Sequence, residues 1–231
     1  VAYTYEAAVP WGRSFDEYVR MFSLSEPDLE KQILACADGP AAFNAGMAER
    51  GYSIVSCDPL YQFSAAQVRT RITETYENII RQTHNNLDSF VWTTIRSVEE
   101  LGRVRLAAME RFLADYDAAA KAGRYVAAEL PDLPFRKETF DLALCSHFLF
   151  LYSPILSLEL HQQAVDAMCA VAAEVRIFPL LTYDGEISPY VAPVVAAMKG
   201  TGRLVSIDRV GYEFQKGGNE MLRIVSNNHR C

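Results

Sequence analysis

The sequence predicts an α/β chain: a doubly wound, mostly parallel sheet with helices on both faces, a C-terminal antiparallel strand pair and a helical insertion. Three observations predict it. Short apolar runs alternate with amphipathic helical stretches along most of the chain. Residues 33–57 hold a strand, a tight turn, a helix and a second strand, a βαβ unit whose crossover requires parallel strands. The last two apolar runs, 204–207 and 221–225, are separated by a Lys216-Gly217-Gly218-Asn219 turn and read as a hairpin.

The elements follow in order. Residues 1–13 are irregular. Ser14-Phe15-Asp16-Glu17 is a capping box, with Phe15, Tyr18, Val19 and Phe22 on one helical face. Ser25-Glu26-Pro27 opens a second short helix, with proline near its first position. Ile33-Leu34-Ala35-Cys36 is a strand ending at Ala37-Asp38-Gly39-Pro40, and a helix through Phe43 and Met47 stops at Gly51. The second strand covers 52–57. Ser64 and Ser97 cap two long helical stretches, interrupted by His84-Asn85-Asn86, so 64–122 holds more helix than a crossover needs. Strands are then expected at 125–128, 140–145 and 175–178, with helices at 158–173 and from Ser188-Pro189 to Gly200. The count is five strand-then-helix steps before the hairpin. Ligands of such a sheet bind outside the carboxyl ends of the strands, where the strand order reverses.

The chain has 231 residues, 50% hydrophobic and 22% charged, which suits a self-sufficient core. It divides into an N-terminal helical segment, 1–30, and an α/β domain, 31–231, with 64–122 as insertion or lid. Twenty-nine acidic residues against 22 basic ones argue against nucleic acid as a partner. Five cysteines, an odd number with no C-x-x-C, argue against a disulfide framework or a zinc ribbon and for a reducing cytoplasm. The first twenty residues lack the apolar core of a signal peptide, and no apolar run has the roughly 18 residues of a membrane span.

Several residues carry chemistry. Ala37, Gly39 and Ala41 are small residues at alternate positions after the first strand; they admit a ligand close to backbone, or let helix pack on strand. Asp58 ends the second strand 19 residues after Gly39, where an acid can accept from ribose hydroxyls; Asp58-Pro59 is also a common way to stop a strand. Tyr183 and Asp184 either face an acceptor or form a surface turn. Arg176, inside an apolar strand, needs a partner. Glu174 is a poor one because of the desolvation cost, which leaves an unidentified acid or an acidic ligand. Cys36, Cys57 and Cys145 lie near strand ends and could meet around a metal, although cysteine more often packs as an apolar residue. His84, His147, His161 and His229 show no ligand spacing. Tyr61, Phe63, Tyr76, Phe90 and Trp92 could form a lid over a substrate or an extra packing layer.

The segment from Glu129 to Asp141 adds a family likeness. Leu133-Pro134-Phe135, a polar turn, then Phe140-Asp141-Leu142 resembles the middle of class I S-adenosylmethionine (SAM) dependent methyltransferases. Ala143-Leu144-Cys145-Ser146-His147 is similar to that family's fourth strand and following loop. The likeness runs from about residue 33 to 225 and is greatest to uncharacterised bacterial members. It implies the Rossmann-like methyltransferase fold, with SAM as cofactor and S-adenosylhomocysteine (SAH) as product. It places Cys36, Ala37, Asp38 and Gly39 at the methionine side, Asp58 and Pro59 at the ribose, and Glu129 and Leu130 at the adenine. Ser146 and His147 then line the cofactor and acceptor pocket. His147 is the candidate base, or else a loop or core histidine. The chain departs from the family's acid-x-Gly-x-Gly-x-Gly motif: Ala35 stands for the acid and Ala37 and Ala41 for two glycines, leaving Gly39. Asp38 could take over the acid's part.

The expected function is methyl transfer from SAM to a small-molecule acceptor in the cytoplasm, with no nucleic-acid or membrane partner. Two rivals stand beside it. One is a protein that binds SAM or SAH without catalysis. The other is a dinucleotide oxidoreductase, which the Leu-Pro-Phe segment and the closing hairpin argue against.

Overall fold

Alternation along the first strand sets the layering. Ile33 and Ala35 face one apolar cluster, Leu34 and Cys36 another, and all four are buried. A strand covered on both faces is the mark of a doubly wound sheet. The computed structural model describes residues 10–226; Cys231, His229 and most of the irregular start lie outside them. Among the described residues the strands are β1 (Ile33–Cys36), β2 (Ile54–Cys57), β3 (Tyr125–Val126), β4 (Phe140–Ser146), β5 (Ala172–Phe178), β6 (Leu204–Arg209) and β7 (Glu220–Val225). They form one sheet in the order β3-β2-β1-β4-β5-β7-β6. β1 to β5 pair in parallel, whereas β7 runs antiparallel to β5 and to β6. The order reverses between β1 and β4, so a ligand crevice is expected at their carboxyl ends.

The helices are α1 (Phe15–Met21), α2 (Glu26–Leu29), α3 (Phe43–Glu49), α4 (Ala65–His84), α5 (Val98–Lys121), α6 (Leu158–Val171) and α7 (Val191–Gly200). Capping boxes at Ser14, Ser25 and Ser64 start α1, α2 and α4, and the Ser97 hydroxyl accepts from the Glu100 N–H. α1 and α3 cover one face through Phe15, Tyr18, Phe43 and Met47. α6 and α7 cover the other through Val165, Met168, Val194 and Met198. α4 and α5 pair with each other around Val68, Phe112 and Tyr116, and this third cluster reaches the sheet at Tyr125.

The structure corrects several boundaries. β3 is two residues long, because only Ser56 and Cys57 of β2 face it in register. No helix separates β3 from β4, so there are four strand-then-helix steps, not five. α6 ends at Val171 and β5 begins at once, since Ala172 is already extended (φ −132°, ψ 147°). α7 starts at Val191, three residues after the expected cap; the buried Ser188 instead accepts from the Tyr190 N–H at 3.2 Å. Arg176 does pair with Glu174 (2.7 Å), and Asp28 of α2 is its second acid (3.2 Å). Glu174 also accepts from Arg223 at 2.6 Å, so several charges share the desolvation that disfavours an isolated pair. No helix among the described residues is long and apolar enough to cross a membrane.

Candidate functional site

A cleft of about 560 Å³ opens at the carboxyl ends of β1, β2 and β4, the place where the strand order reverses. Its size is that of a small-molecule site. Ala37, Asp38, Gly39, Asp58, Pro59, Glu129, Leu130, Ser146 and His147 all line it. Cys36 does not: its side chain is fully buried in the core. Other contributors include Trp11, Arg13 and Tyr18 from the N-terminal segment, Ile79 and Gln82 of α4, Asp132 after β3, and Leu151 and Tyr152 after β4.

The turn after β1 is shaped for close approach. Ala37 and Gly39 both lie in the left-handed region, at φ +52° and +53°. A Cβ on Gly39 would meet nothing within 4 Å, so that face of the turn is open cleft. Gly12 does the opposite. A Cβ there would fall 2.0 Å from the Pro40 carbonyl oxygen, so the N-terminal segment is pressed against the turn and only glycine fits.

Asp58 spans the two strand ends. One carboxylate oxygen accepts from the Gly39 N–H at 2.9 Å and the other from the Leu60 N–H at 2.7 Å. Burial nevertheless pushes its carboxyl up to about 6, against those two donors. Asp38 is buried more deeply. It accepts from the Tyr18 and Ser56 hydroxyls, the latter at 2.6 Å, and Ser56 in turn accepts from Asn44 at 2.9 Å. Burial pushes Asp38 up to about 6 as well; the two hydroxyls oppose it and the neighbouring Asp58 charge adds to it. Ala35, in the place of the family acid, is buried in the cluster of Tyr18 and Phe43.

His147 follows β4 in the left-handed region, at φ +51°, a strained position for a residue with a Cβ. Its N–H donates to the Phe178 carbonyl at 2.7 Å, and its Nδ1 lies 2.9 Å from the Ser146 hydroxyl. Burial, then the charges of Arg13 and Arg105, hold its imidazole well below the usual range, hence neutral.

Other candidates are dispersed. Tyr183 and Asp184 are exposed in a turn closed by the Gly185 N–H on the Thr182 carbonyl (3.0 Å); neither lines the cleft, although the Tyr183 N–H donates to the carbonyl of the cleft residue Leu151 at 3.0 Å. None of the five insertion aromatics lines the cleft. Phe90 and Trp92 pack on Phe214 beside the β6–β7 connection, and Tyr61 sits in the α4–α5 cluster, its hydroxyl donating to the Gly39 carbonyl at 2.8 Å. Periodicity marks an apolar stripe without saying what it covers; α4 presents Ile79 and Gln82 instead. Cys57, Cys36 and Cys145 do stand side by side in register across three strands, as buried thiols. Among the described residues no group of three or more acidic, histidine or cysteine side chains is arranged to hold a metal. His161 is a core histidine whose ring nitrogens lie 2.7 and 2.8 Å from the Ser157 and Leu149 carbonyls.

Sequence reasoning missed Arg13, Trp11 and the Tyr18 hydroxyl. Arg13 carried a signal. It precedes the Ser14 cap, so it sets a cation at the positive end of α1, where a carboxylate is favoured.

Comparison with known proteins places the chain. No family model matches it. Over 214 residues it is 32% identical to the uncharacterized protein MJ0045 of Methanocaldococcus jannaschii, which spans 92% of this chain and 94% of that protein. The chain belongs to that protein's family. A member of this family therefore has the architecture described above, and a solved structure shares it. Magnesium protoporphyrin IX methyltransferase of Synechocystis PCC 6803, crystallised with bound SAM, overlays with a TM-score of 0.50 at 10% identity, covering 92% of this chain and 78% of that one. At that identity the likeness establishes a methyltransferase-type fold. A SAM-dependent methyltransferase of Aquifex aeolicus overlays at a TM-score of 0.44 and 12% identity, covering 91% of this chain and 88% of that one.

The raised acids make a stability prediction. A carboxyl whose folded value lies near 6 binds its proton more readily folded than unfolded, so its contribution grows as pH falls from about 6 toward 4. His147 and His161, held low, act in the opposite sense below their usual value. A difference measurement separates them. Relative to Asp58→Asn, the wild type is expected to gain stability in urea between pH 7 and pH 5. A constant difference would show that Asp58 is not raised.

Proposed function

We propose that this protein binds SAM in the cleft and transfers its methyl group to a small-molecule acceptor. The observation that carries the reading is the half-buried Asp58 carboxylate at the end of β2, bonded to the Gly39 N–H of an open turn at the end of β1. The solved methyltransferase of like fold holds SAM, which supports an adenosyl ligand over a dinucleotide. The residues present fit such a group. Each Asp58 oxygen takes one backbone donor and keeps a lone pair for a ribose hydroxyl. The open Ala37–Gly39 turn admits the methionine side, and Glu129 and Leu130 flank the adenine side. Buried, unpaired cysteines suit a reducing, cytoplasmic setting.

When bound, SAM supplies a methyl group activated on a sulfonium. The protein's own work is alignment of acceptor and methyl in the cleft. His147, neutral at the end of β4, is the residue placed to take an acceptor's proton. One observation favours the rival reading of binding without turnover: Ala35 replaces the family acid, and the Asp38 carboxylate is occupied by Tyr18 and Ser56.

The test is titration calorimetry with SAM, SAH and NAD. Saturable binding of both adenosyl ligands and none of NAD is expected; failure of both adenosyl ligands removes the reading. Methyl transfer to any member of an acceptor panel then separates enzyme from binder. Gly39→Val checks the turn. Its side chain would enter open cleft and cost about 1–2 kcal/mol at positive φ. Loss of SAH binding with a stability loss of that size is expected, read by calorimetry and urea unfolding.

A further inference from the structure

Arg13 lines the cleft beside the turn after β1, and two contacts hold it there. Gly12 is pressed against the Pro40 carbonyl, and the Arg13 carbonyl accepts from the Ala42 N–H at 2.9 Å. Its backbone is thus tied to the far end of the turn that contains Ala37 and Gly39. The guanidinium is left with donors to spare. The side chain is half-buried, and among the described residues it makes one hydrogen bond, from Nη1 to the Trp11 carbonyl at 3.2 Å, while the enclosed Nε has no partner. The acids nearby are engaged elsewhere. Asp38 accepts from the Tyr18 and Ser56 hydroxyls, and Asp58 from the Gly39 and Leu60 N–H groups. Glu17 of α1 is committed to Arg105, whose Nη1 lies 2.7 and 2.6 Å from its two oxygens. A charge drawn out of water without a partner is costly, and a ligand carboxylate would remove that cost.

The turn offers no matching carboxylate to a cation. Ala35, near the end of β1, is uncharged and buried in the core. Asp38, the next candidate, is buried under its two hydroxyls. The remaining acids of the cleft, Glu129 and Asp132, are exposed after β3, which lies beyond β2 in the order β3-β2-β1. The charge available beside the methionine side is therefore positive.

We propose that Arg13 holds the cofactor by the carboxylate of its methionine end, and that the amino group beside that carboxylate gets no charged partner. This rests on the SAM reading above, and the choice of ligands keeps the two apart. SAH, 5′-methylthioadenosine, which lacks the amino-acid end, and SAH analogues lacking only the amino group or only the carboxylate are titrated by calorimetry into wild type, Arg13→Gln and Arg13→Lys. Wild type is expected to bind the deaminated analogue within about threefold of SAH and the decarboxylated one about tenfold or more weaker. Arg13→Gln should weaken SAH and the deaminated analogue by about tenfold or more, and bind the decarboxylated analogue no more weakly than wild type does. Its affinity for 5′-methylthioadenosine should stay within about twofold of wild type, which also shows that the variant is folded. Arg13→Lys keeps the charge without the planar fork and should fall between wild type and Arg13→Gln. A decarboxylated analogue that binds wild type as tightly as SAH overturns the proposal, as does a deaminated one that loses as much as the decarboxylated. Unchanged SAH binding in Arg13→Gln overturns it too. Equal weakening of SAH and 5′-methylthioadenosine makes Arg13 a structural residue, with the same consequence. In each of these cases the SAM reading stands. Failure of both SAH and 5′-methylthioadenosine to bind wild type is the different result that removes the SAM reading itself, and the role of Arg13 with it.

Discussion

Asp58→Ala is expected to weaken SAH binding by roughly 100-fold or more. Hydrogen bonds to a charged acceptor contribute about 1.5–3 kcal/mol each, and two ribose hydroxyls would lose theirs together. The backbone adds to the loss. Without the carboxylate the Gly39 and Leu60 N–H groups have no acceptor, so the turn after β1 loses its tie to β2. Asp58→Asn keeps the shape and one acceptor oxygen, and should fall between wild type and Asp58→Ala. The pH dependence has a definite sign. Ribose hydroxyls donate best to an ionised acid, and burial places Asp58 at about 6. SAH affinity in wild type is therefore expected to decline as pH falls below 6, while the Asp58→Asn protein shows a flatter profile. Calorimetry at pH 5, 6 and 7.5 measures both. Unchanged binding in Asp58→Ala would place the ligand elsewhere.

What sequence could reach follows from how local each signal is. β1, β2 and the turn between β1 and α3 are set within 25 residues by apolar runs, small residues and Gly51, so Asp58 could be placed from spacing alone. The closing hairpin was legible for the same reason. The short β3 was not, because its length depends on how much of β2 remains to pair with it. Arg13 was out of reach in another way. It lines the cleft only because Gly12 packs on Pro40 and the Arg13 carbonyl accepts from the Ala42 N–H at 2.9 Å, contacts that join segments far apart in sequence. The insertion aromatics show the limit of periodicity. Only Tyr61 of the five is buried, in the cluster that joins α4 to α5; Phe90 and Trp92 pack half-buried on Phe214, while shorter or more polar residues of α4 meet the cleft.

The same N-terminal cluster sets the largest expected stability effect. Glu17 is buried, and burial alone would push its acid up; the charge and hydrogen bonds of Arg105 outweigh that and hold it at about 2. Glu17→Ala strands Arg105, itself fully buried, and leaves Arg13 facing a second uncompensated cation. Removing one partner of a buried pair costs about 3–5 kcal/mol, which for a chain of this length lowers the melting temperature by roughly 6–20 °C. Replacing both partners by apolar residues, Glu17→Leu with Arg105→Met, should cost less than Glu17→Ala, since no charge is then stranded. The acid limb of the stability profile gives an independent reading. A carboxyl held below its ordinary value of 4.5 contributes fully above that pH, and the contribution is lost as pH falls from 4.5 toward 2. Wild type should lose this increment in acid, whereas the double variant, which lacks the carboxyl, should not. Because α5 carries Arg105, α1 carries Glu17 and Tyr212 lies between β6 and β7, that increment also measures how firmly α5 and the β6–β7 connection are tied to α1.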